Sequence, residues 1–437
     1  MSRKLNRREM IRCTSLAGSG LVFPVANAMA ARSPNEKLQI ACVGLGNQGR
    51  ANLEKVSGEN IVALCDVDDQ RTGMFAEKFP KATCFRDFRV MLDKMEKEID
   101  AVVVTTPNHS HATIASAAMR RGKHVYCEKP LTRTVDETRA LMGLAEESGV
   151  VTQMGIQIHA SDNYRRTVEL IRSGAIGPVH DVHTWWWGRP NGWRRYELTV
   201  DRPSDRPPVP MGLDWDKWIG PAPMRPYHPC YAPHDWHYWW DFGNGEMGNM
   251  ACHYMDLVFW ALELEYPTVI KAEGPAVHPE STPLWIDCHW EFPARGDRQP
   301  VRVHWYHGRT CPEPVVDLKV PKWSAGVLFL GRDGMLLADY TRRVLLPADR
   351  YEGFEPPEPS TPSSIGHRKE WIEACKTETP AQCPFSYSGL VTETVLLGNI
   401  AYRVGEPLTW DSKSMRFPDN TAANALVCAS YRDGWVL

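Results

Sequence analysis

Long apolar runs are missing from this 437-residue chain, and so is any excess of charge. A helix that crosses a bilayer needs about 20 predominantly apolar residues; the stretch after residue 10 is too short and too interrupted for that. A formal net charge of −3, with 24% charged residues, excludes the basic footprint of a nucleic-acid or anionic-membrane binder. C-x-x-C is absent. Of the twelve Cys, Cys13 lies in the N-terminal segment and the other eleven are an odd number. Cys42, Cys65 and Cys127 sit in apolar strand runs as small hydrophobes, so no disulfide framework is expected. No internal repeat occurs, which excludes solenoids and propellers. What remains is a chain long enough for two domains and a sizeable core. It is unusually rich in Trp, with 17, many of them between residues 185 and 260.

The first thirty residues read as a targeting segment. Arg7 and Arg8 in Asn6-Arg-Arg-Glu-Met-Ile11 have the form of a twin-arginine export signal, and Ala28-Met-Ala30 matches an A-x-A cleavage site. The expected location is therefore periplasmic. That route carries folded proteins, which suits one that leaves the cytoplasm with a cofactor bound.

The mature chain is organised around residues 39–50. An apolar run at 40–43 breaks into Gly44, Gly46 and Gly49, giving G-x-G-x-x-G before a helical pattern. Gly44 allows a tight turn, and Gly46 lets backbone approach a pyrophosphate. Gly49 lets helix and strand pack closely, with free N–H groups at the helix start. Leu45, Asn47 and Gln48 complete the turn. A second strand at 60–65 ends in Asp66, placed to take ribose hydroxyls and to repel a 2′-phosphate, so NAD is expected over NADP. Strands at 81–85, 99–106, 124–127 and 150–154 alternate with helices at 88–97, 111–121 and 135–148. This predicts an α/β fold with a doubly wound parallel sheet over 37–158. Its ligands belong at the carboxyl ends of the strands, where Thr106-Pro-Asn-His109 and Glu128-Lys-Pro130 also fall.

The endings Thr106-Pro-Asn-His109 and Glu128-Lys-Pro-Leu131, downstream of the glycine motif, resemble the Gfo/Idh/MocA family, that of glucose–fructose oxidoreductase and inositol dehydrogenase. Gln153-Met-Gly-Ile-Gln157 and the helix at 164–177 resemble its crossover, which makes Gln157 a cofactor contact. The stretch from Gly243 to Asp256 resembles its catalytic helix. The resemblance implies a Rossmann domain followed, over 159–437, by an α+β domain with an open, mainly antiparallel sheet. Strands are expected at 179–187, 268–272, 285–292, 301–306 and 326–331. Long loops are expected at 190–233 and 351–362, and helices at 367–376 and 388–403 that pack back on the first domain. The open sheet face suggests a homodimer or homotetramer.

Oxidising a secondary alcohol needs a hydride acceptor and a base. Lys129, matching the family's Glu-Lys-Pro lysine, is the first candidate, since desolvation lowers a lysine toward working pH. His253 is the second, as base or as donor to the substrate oxygen. Asn249, His253 and Asp256 fall at i, i+4 and i+7 on one helix face, and Gly243, Gly245 and Gly248 allow that helix close to the cofactor. Asp256 orients His253 or anchors the helix. Asn249 departs from the inositol-dehydrogenase pattern, where an Asp commonly stands; an amide relays no proton. His228, Cys230, His234 and His237 have no zinc spacing, so no metal is expected. Sugar contacts suit the run better, with His237, His109, His159 and Trp186 lining the cleft.

The leading reading is an NAD-dependent oxidoreductase acting on a sugar, sugar derivative or cyclitol. A second is redox-neutral cleavage of a glycoside through a transient keto-sugar, because no NAD pool is expected outside the cytoplasm. Glycosidase relatives that work this way lack the Glu-Lys-Pro lysine, which favours the first. A third is a non-catalytic nucleotide or sugar sensor, which Asn249 favours and Lys129 and His253 oppose.

Overall fold

The computed structural model describes residues 36–186, 201–308, 313–318 and 320–437. The expected export signal, part of the expected long loop and Trp187 lie outside these residues.

The first half alternates strand and helix: β1 (Gln39–Val43), α1 (Gln48–Val56), β2 (Asn60–Cys65), α2 (Asp69–Ala76), β3 (Thr83–Phe85), α3 (Phe88–Lys94), β4 (Ala101–Val104), α4 (Asn108–Met119), β5 (His124–Glu128), α5 (Val135–Ser148) and β6 (Thr152–Gly155). The six strands form one parallel sheet in the order β3-β2-β1-β4-β5-β6. β4 shows why these runs are β-branched and unbroken. Val102 and Val104 enter one core and Ala101 and Val103 the other, so both faces are covered. α5 matches its expected bounds because its ends are marked: Thr134 and Glu137 close a capping box, and Gly149 caps the C-terminus at φ +65°. The strand order reverses between β1 and β4, which opens a crevice at their carboxyl ends.

The second half holds α6 (Asp162–Arg172), β7 (Val179–Trp186), α7 (Trp215–Ile219), α8 (Cys252–Leu262), β8 (Val269–Glu273), β9 (Ile286–Phe292), β10 (Val301–His307), α9 (Glu313–Asp317), β11 (Ala325–Gly331), β12 (Met335–Ala338), β13 (Arg343–Leu346), α10 (His367–Thr377), α11 (Phe385–Val404), β14 (Leu408–Thr409) and α12 (Thr421–Asn424). Eight strands pair in the order β13-β12-β11-β7-β10-β9-β8-β14. Only β7 and β10 run parallel, so the sheet is mixed and mainly antiparallel. β12, β13 and β14 are absent from the sequence reading. Met335-Leu-Leu-Ala338 is made of helix formers, and pairing with β11 overrides that preference. The late helices do pack back: α10 places Trp371 and Ile372 among Ile40, Leu64 and Tyr126. Lys376, which is buried, meets the partly buried Glu59 at 2.8 Å.

Candidate active site

A cleft of about 380 Å³ lies at the carboxyl ends of the parallel strands, closed on its far side by the chain between Trp218 and His253. The glycine turn forms one end. Gly44 has φ +84°, and a Cβ there would stand 2.5 Å from Thr105 O. A Cβ on Gly49 would stand 2.0 Å from Gly44 O, so this glycine sets how closely α1 meets β1 and does not face the cleft. Gly46, Asn47 and Gln48 do line it, with the Arg71 guanidinium lying over Gly46. Leu45 is buried behind the turn, and only its N–H takes part, donating to Asp66 Oδ2 at 2.7 Å. Asp66 Oδ1 accepts from Asp68 N at 3.0 Å. Burial raises the Asp66 carboxyl above its usual value, against the opposing pull of Arg71 and these two N–H groups.

Along the strand ends, Thr106, Pro107 and Asn108 line the cleft. Thr106 Oγ1 is buried without a hydrogen-bond partner. His109 does not line it. It is fully buried in the first turn of α4, its Nε2 donating to Trp218 O at 2.9 Å, so the expected cofactor and sugar contact is a structural tie. His111, which the sequence reading missed, does line the cleft. It bridges the loops after β4 and β5, with Nε2 2.7 Å from Thr106 O and Nδ1 2.9 Å from Pro130 O. Glu128 is held by three amides: Oε1 accepts from Gln157 Nε2 at 2.7 Å, Asn52 Nδ2 at 2.9 Å and Gln48 Nε2 at 3.3 Å. Its carboxylate thereby fixes Gln157 and Gln48 at the cleft wall.

Lys129, Asn249, His253 and His237 converge. Lys129 Nζ donates to Asn249 O at 2.9 Å and to Asn249 Oδ1 at 2.6 Å. Asn249 Nδ2 in turn donates to Glu246 Oε2 at 3.2 Å, which fixes the amide with its oxygen toward the lysine. Glu246 is a buried carboxylate that the sequence reading passed over; its spacing of three from Asn249 was the available signal. Burial lowers Lys129 from its ordinary value, with Glu128, Cys252 and Glu246 pulling the other way. Burial, and next the lysine, depress His253 and His237 well below the ordinary imidazole value, so both are neutral near pH 7. His253 Nδ1 is buried with no partner.

The expected shared helix face is not what forms. Residues Met247–Ala251 make a π-helical turn, and α8 begins only at Cys252. Asn249 and His253 line the cleft, whereas Asp256, three residues further along α8, is fully buried in the core. There Asp256 accepts from His159 Nδ1 at 2.9 Å and Tyr387 OH at 2.7 Å; it anchors the helix and does not orient His253. His159, expected to touch substrate, is buried and stacked on Trp260 with ring centroids 3.8 Å apart. Trp186 ends β7, half-buried against the main core and outside the cleft lining. Gly248 approaches Pro130, 3.1 Å from a hypothetical Cβ, so it seats the π turn on protein and not on a cofactor. The 228–237 run opens out: Cys230 is buried, and Asn47 Nδ2 donates to His234 Nδ1 at 2.6 Å across the cleft. Trp218, His234 and Trp435 are further wall residues that the sequence reading did not assign.

These residues fit a dinucleotide. The glycine turn leads into a helix N-terminus that no side chain caps, and the buried Thr106 Oγ1 and His253 Nδ1 stand without protein partners.

The model described as "Oxidoreductase family, NAD-binding Rossmann fold" matches residues 38–156, and that described as "Oxidoreductase family, C-terminal alpha/beta domain" matches 190–295. Inositol 2-dehydrogenase of Salmonella paratyphi B is 30% identical over 152 residues, 33% of this chain and 45% of that protein. A glycosyl hydrolase family 109 protein of Solibacter usitatus is 30% identical over 225 residues, 44% of this chain and 51% of that one. The chain thus spans about half the length of these curated relatives. The WlbA dehydrogenase of Bordetella pertussis, solved with NADH and UDP-GlcNAcA, shares the fold: TM-score 0.61 at 16% identity, covering 86% of this chain and 99% of that one. The first domain is accordingly an NAD-binding Rossmann domain.

Proposed function

Because this chain belongs to the Gfo/Idh/MocA oxidoreductase family, we propose that it is an NAD-dependent dehydrogenase of a secondary alcohol on a sugar, sugar derivative or cyclitol. The observation that carries this reading is the seating of Lys129. Two of its N–H bonds are taken by the two oxygens of Asn249, so the third position faces the cleft, a proton in the ammonium and a lone pair in the amine. NAD bound along the glycine turn supplies the hydride acceptor. Lys129 as amine takes the proton of the substrate hydroxyl, and neutral His253 holds the same oxygen or passes the proton on. Asn249 is suited to this arrangement. A carboxylate at 249 would hold the lysine charged and would crowd Glu246, whereas the amide aims the lysine and leaves it able to lose its proton.

The resemblance to the glycosyl hydrolase family 109 protein supports a second reading, glycoside cleavage through a transient keto-sugar with no net change in NAD. One experiment separates them. Purified protein is given NAD and a panel of sugars, glycosides and cyclitols, with nicotinamide absorbance and aglycone release read together. Growth of the reduced band supports the dehydrogenase, release without it supports the second reading, and neither over a broad panel overturns both. Export by the twin-arginine route and assembly through the open sheet face belong to the same proposal. Mass spectrometry of the secreted chain for cleavage after Ala30, and sedimentation of the purified protein, test them.

A further inference from the structure

The C-terminal sheet carries a second cluster of ligating side chains, away from the cleft. Along β7 the side chains alternate. Val182 joins the main core and Thr184 Oγ1 lies 3.8 Å from Met255 Sδ of α8, so Asp181 and His183 point to the opposite face. Strand register sets His183 of β7 beside His304 of β10, and His304 beside His289 of β9, which makes a row of three imidazoles across adjacent strands. Asp181 and His183 are buried, at 6% and 5% exposure.

Three atoms converge there. Asp181 Oδ1 lies 2.8 Å from His304 Nε2 and 3.5 Å from His183 Nε2, and one donor atom from each residue lies within 4.8 Å of the others. Despite that short separation, Asp181 Oδ1 and His304 Nε2 are buried and make no aligned hydrogen bond. The far side of each group is already held. Arg302 Nη2 meets Asp181 Oδ2 at 2.6 Å, His183 Nδ1 meets Tyr306 OH at 3.0 Å, and His304 Nδ1 meets His289 Nδ1. Outer atoms pinned by neighbours while inner atoms face one another without aligned bonds is the arrangement of a metal-ligating set with its supporting shell.

We propose that Asp181, His183 and His304 bind one divalent transition-metal ion of the zinc class on this face. Two imidazoles and one carboxylate are the donor set such ions take, and a calcium or magnesium site would be built from oxygens. The rings of His183 and His304 are stacked, with centroids 4.6 Å apart and planes 13° from parallel. A shared ion therefore turns one ring out of the stack, and His304, with a 16% exposed side chain, is the one that turns, giving up its contact with His289. Three protein donors leave the remaining position to water, so the site is open.

The test uses the full chain without an affinity tag, stripped by chelator and dialysed against zinc chloride, with bound metal measured by mass spectrometry. One zinc per chain is expected, together with a rise in melting temperature on adding zinc. Asp181→Asn combined with His304→Ala should weaken binding at least tenfold and remove that rise, while NAD binding is retained. Absence of stoichiometric zinc in the unsubstituted chain overturns the proposal, and so does an equal zinc content in the double variant. Should the double variant not fold, cobalt-loaded unsubstituted protein decides. Ligand-field bands of a nitrogen and oxygen site support the assignment, and a thiolate charge-transfer band places the ion on a cysteine and overturns it.

Discussion

The two walls of the cleft are built by different rules. The strand-end wall is set by periodicity: each of β1, β2, β4 and β5 stops at the same level of the sheet, so whatever follows it reaches the cleft. The opposite wall, from Trp218 to His253, is set by contacts. It has the end of a five-residue helix, a 3₁₀ turn, a π turn and the first residues of α8, and it is held by aromatic packing among Trp215, Trp218, Tyr231, Trp239 and Phe242. A site residue on the first wall is determined by where its strand ends. On the second it is determined by which neighbours it finds.

The largest expected effect tests whether the walls cooperate through Lys129. Lys129→Met should lower turnover by about 10²- to 10⁴-fold, the usual worth of a positioned acid–base group, with NAD affinity nearly unchanged by calorimetry. Turnover near the normal rate would leave the second wall without its partner. Next, Gly49→Ala attacks the first wall alone. A methyl 2.0 Å from Gly44 O must push α1 off β1, so a loss of about 1–3 kcal/mol in urea unfolding is expected, with weaker NAD binding.

Two substitutions sharpen the contact between the walls through pH. On the proposed mechanism alcohol oxidation needs Lys129 as amine, so its rate should climb as pH rises through the lysine's value, which burial places below the ordinary 10.5. Asn249→Asp adds a negative charge beside the ammonium, raises that value and moves the climb to higher pH, with activity lost near neutrality and recovered in alkali. Glu246→Gln removes a charge that now raises Lys129, so the climb moves to lower pH. Its effect on rate at fixed pH should be smaller, roughly tenfold or less, because Glu246 acts through Asn249. An unmoved profile in either variant would remove Asn249 from the proton path. The smallest effect on catalysis is expected from His159→Gln. It breaks the buried pair with Asp256 and lowers the melting temperature, yet should change KM for substrate less than about threefold; a large KM change would return His159 to the cleft.

The same contrast explains what could be read from the chain. Gly44, Gly46, Thr106, Glu128 and Lys129 were legible because short unbroken apolar runs mark where strands end, and β4 and α5 carry unmistakable stops in Pro107 and Gly149. The i, i+4, i+7 argument for Asn249, His253 and Asp256 assumed one regular helix and a common neighbour; a π turn interrupts the helix before α8, and Asp256 is claimed by His159 and Tyr387. His109 and His159 look like ligands in a string of letters. What makes them structural is a carbonyl 109 residues away in one case and a carboxylate 97 away in the other. The His183–His304–His289 row depends on strand pairings of the same long-range kind, and no local pattern announces it; Glu246 was legible only through its spacing of three from Asn249.

The hydrogen bond from Asn47 to His234 joins the glycine turn to the opposite wall like a latch across a doorway. A bulky guest leaving over the turn would have to break that bond, which slows its departure. Slow departure of a redox carrier would be a handicap where fresh carrier abounds. It becomes an advantage wherever a single molecule must serve many cycles.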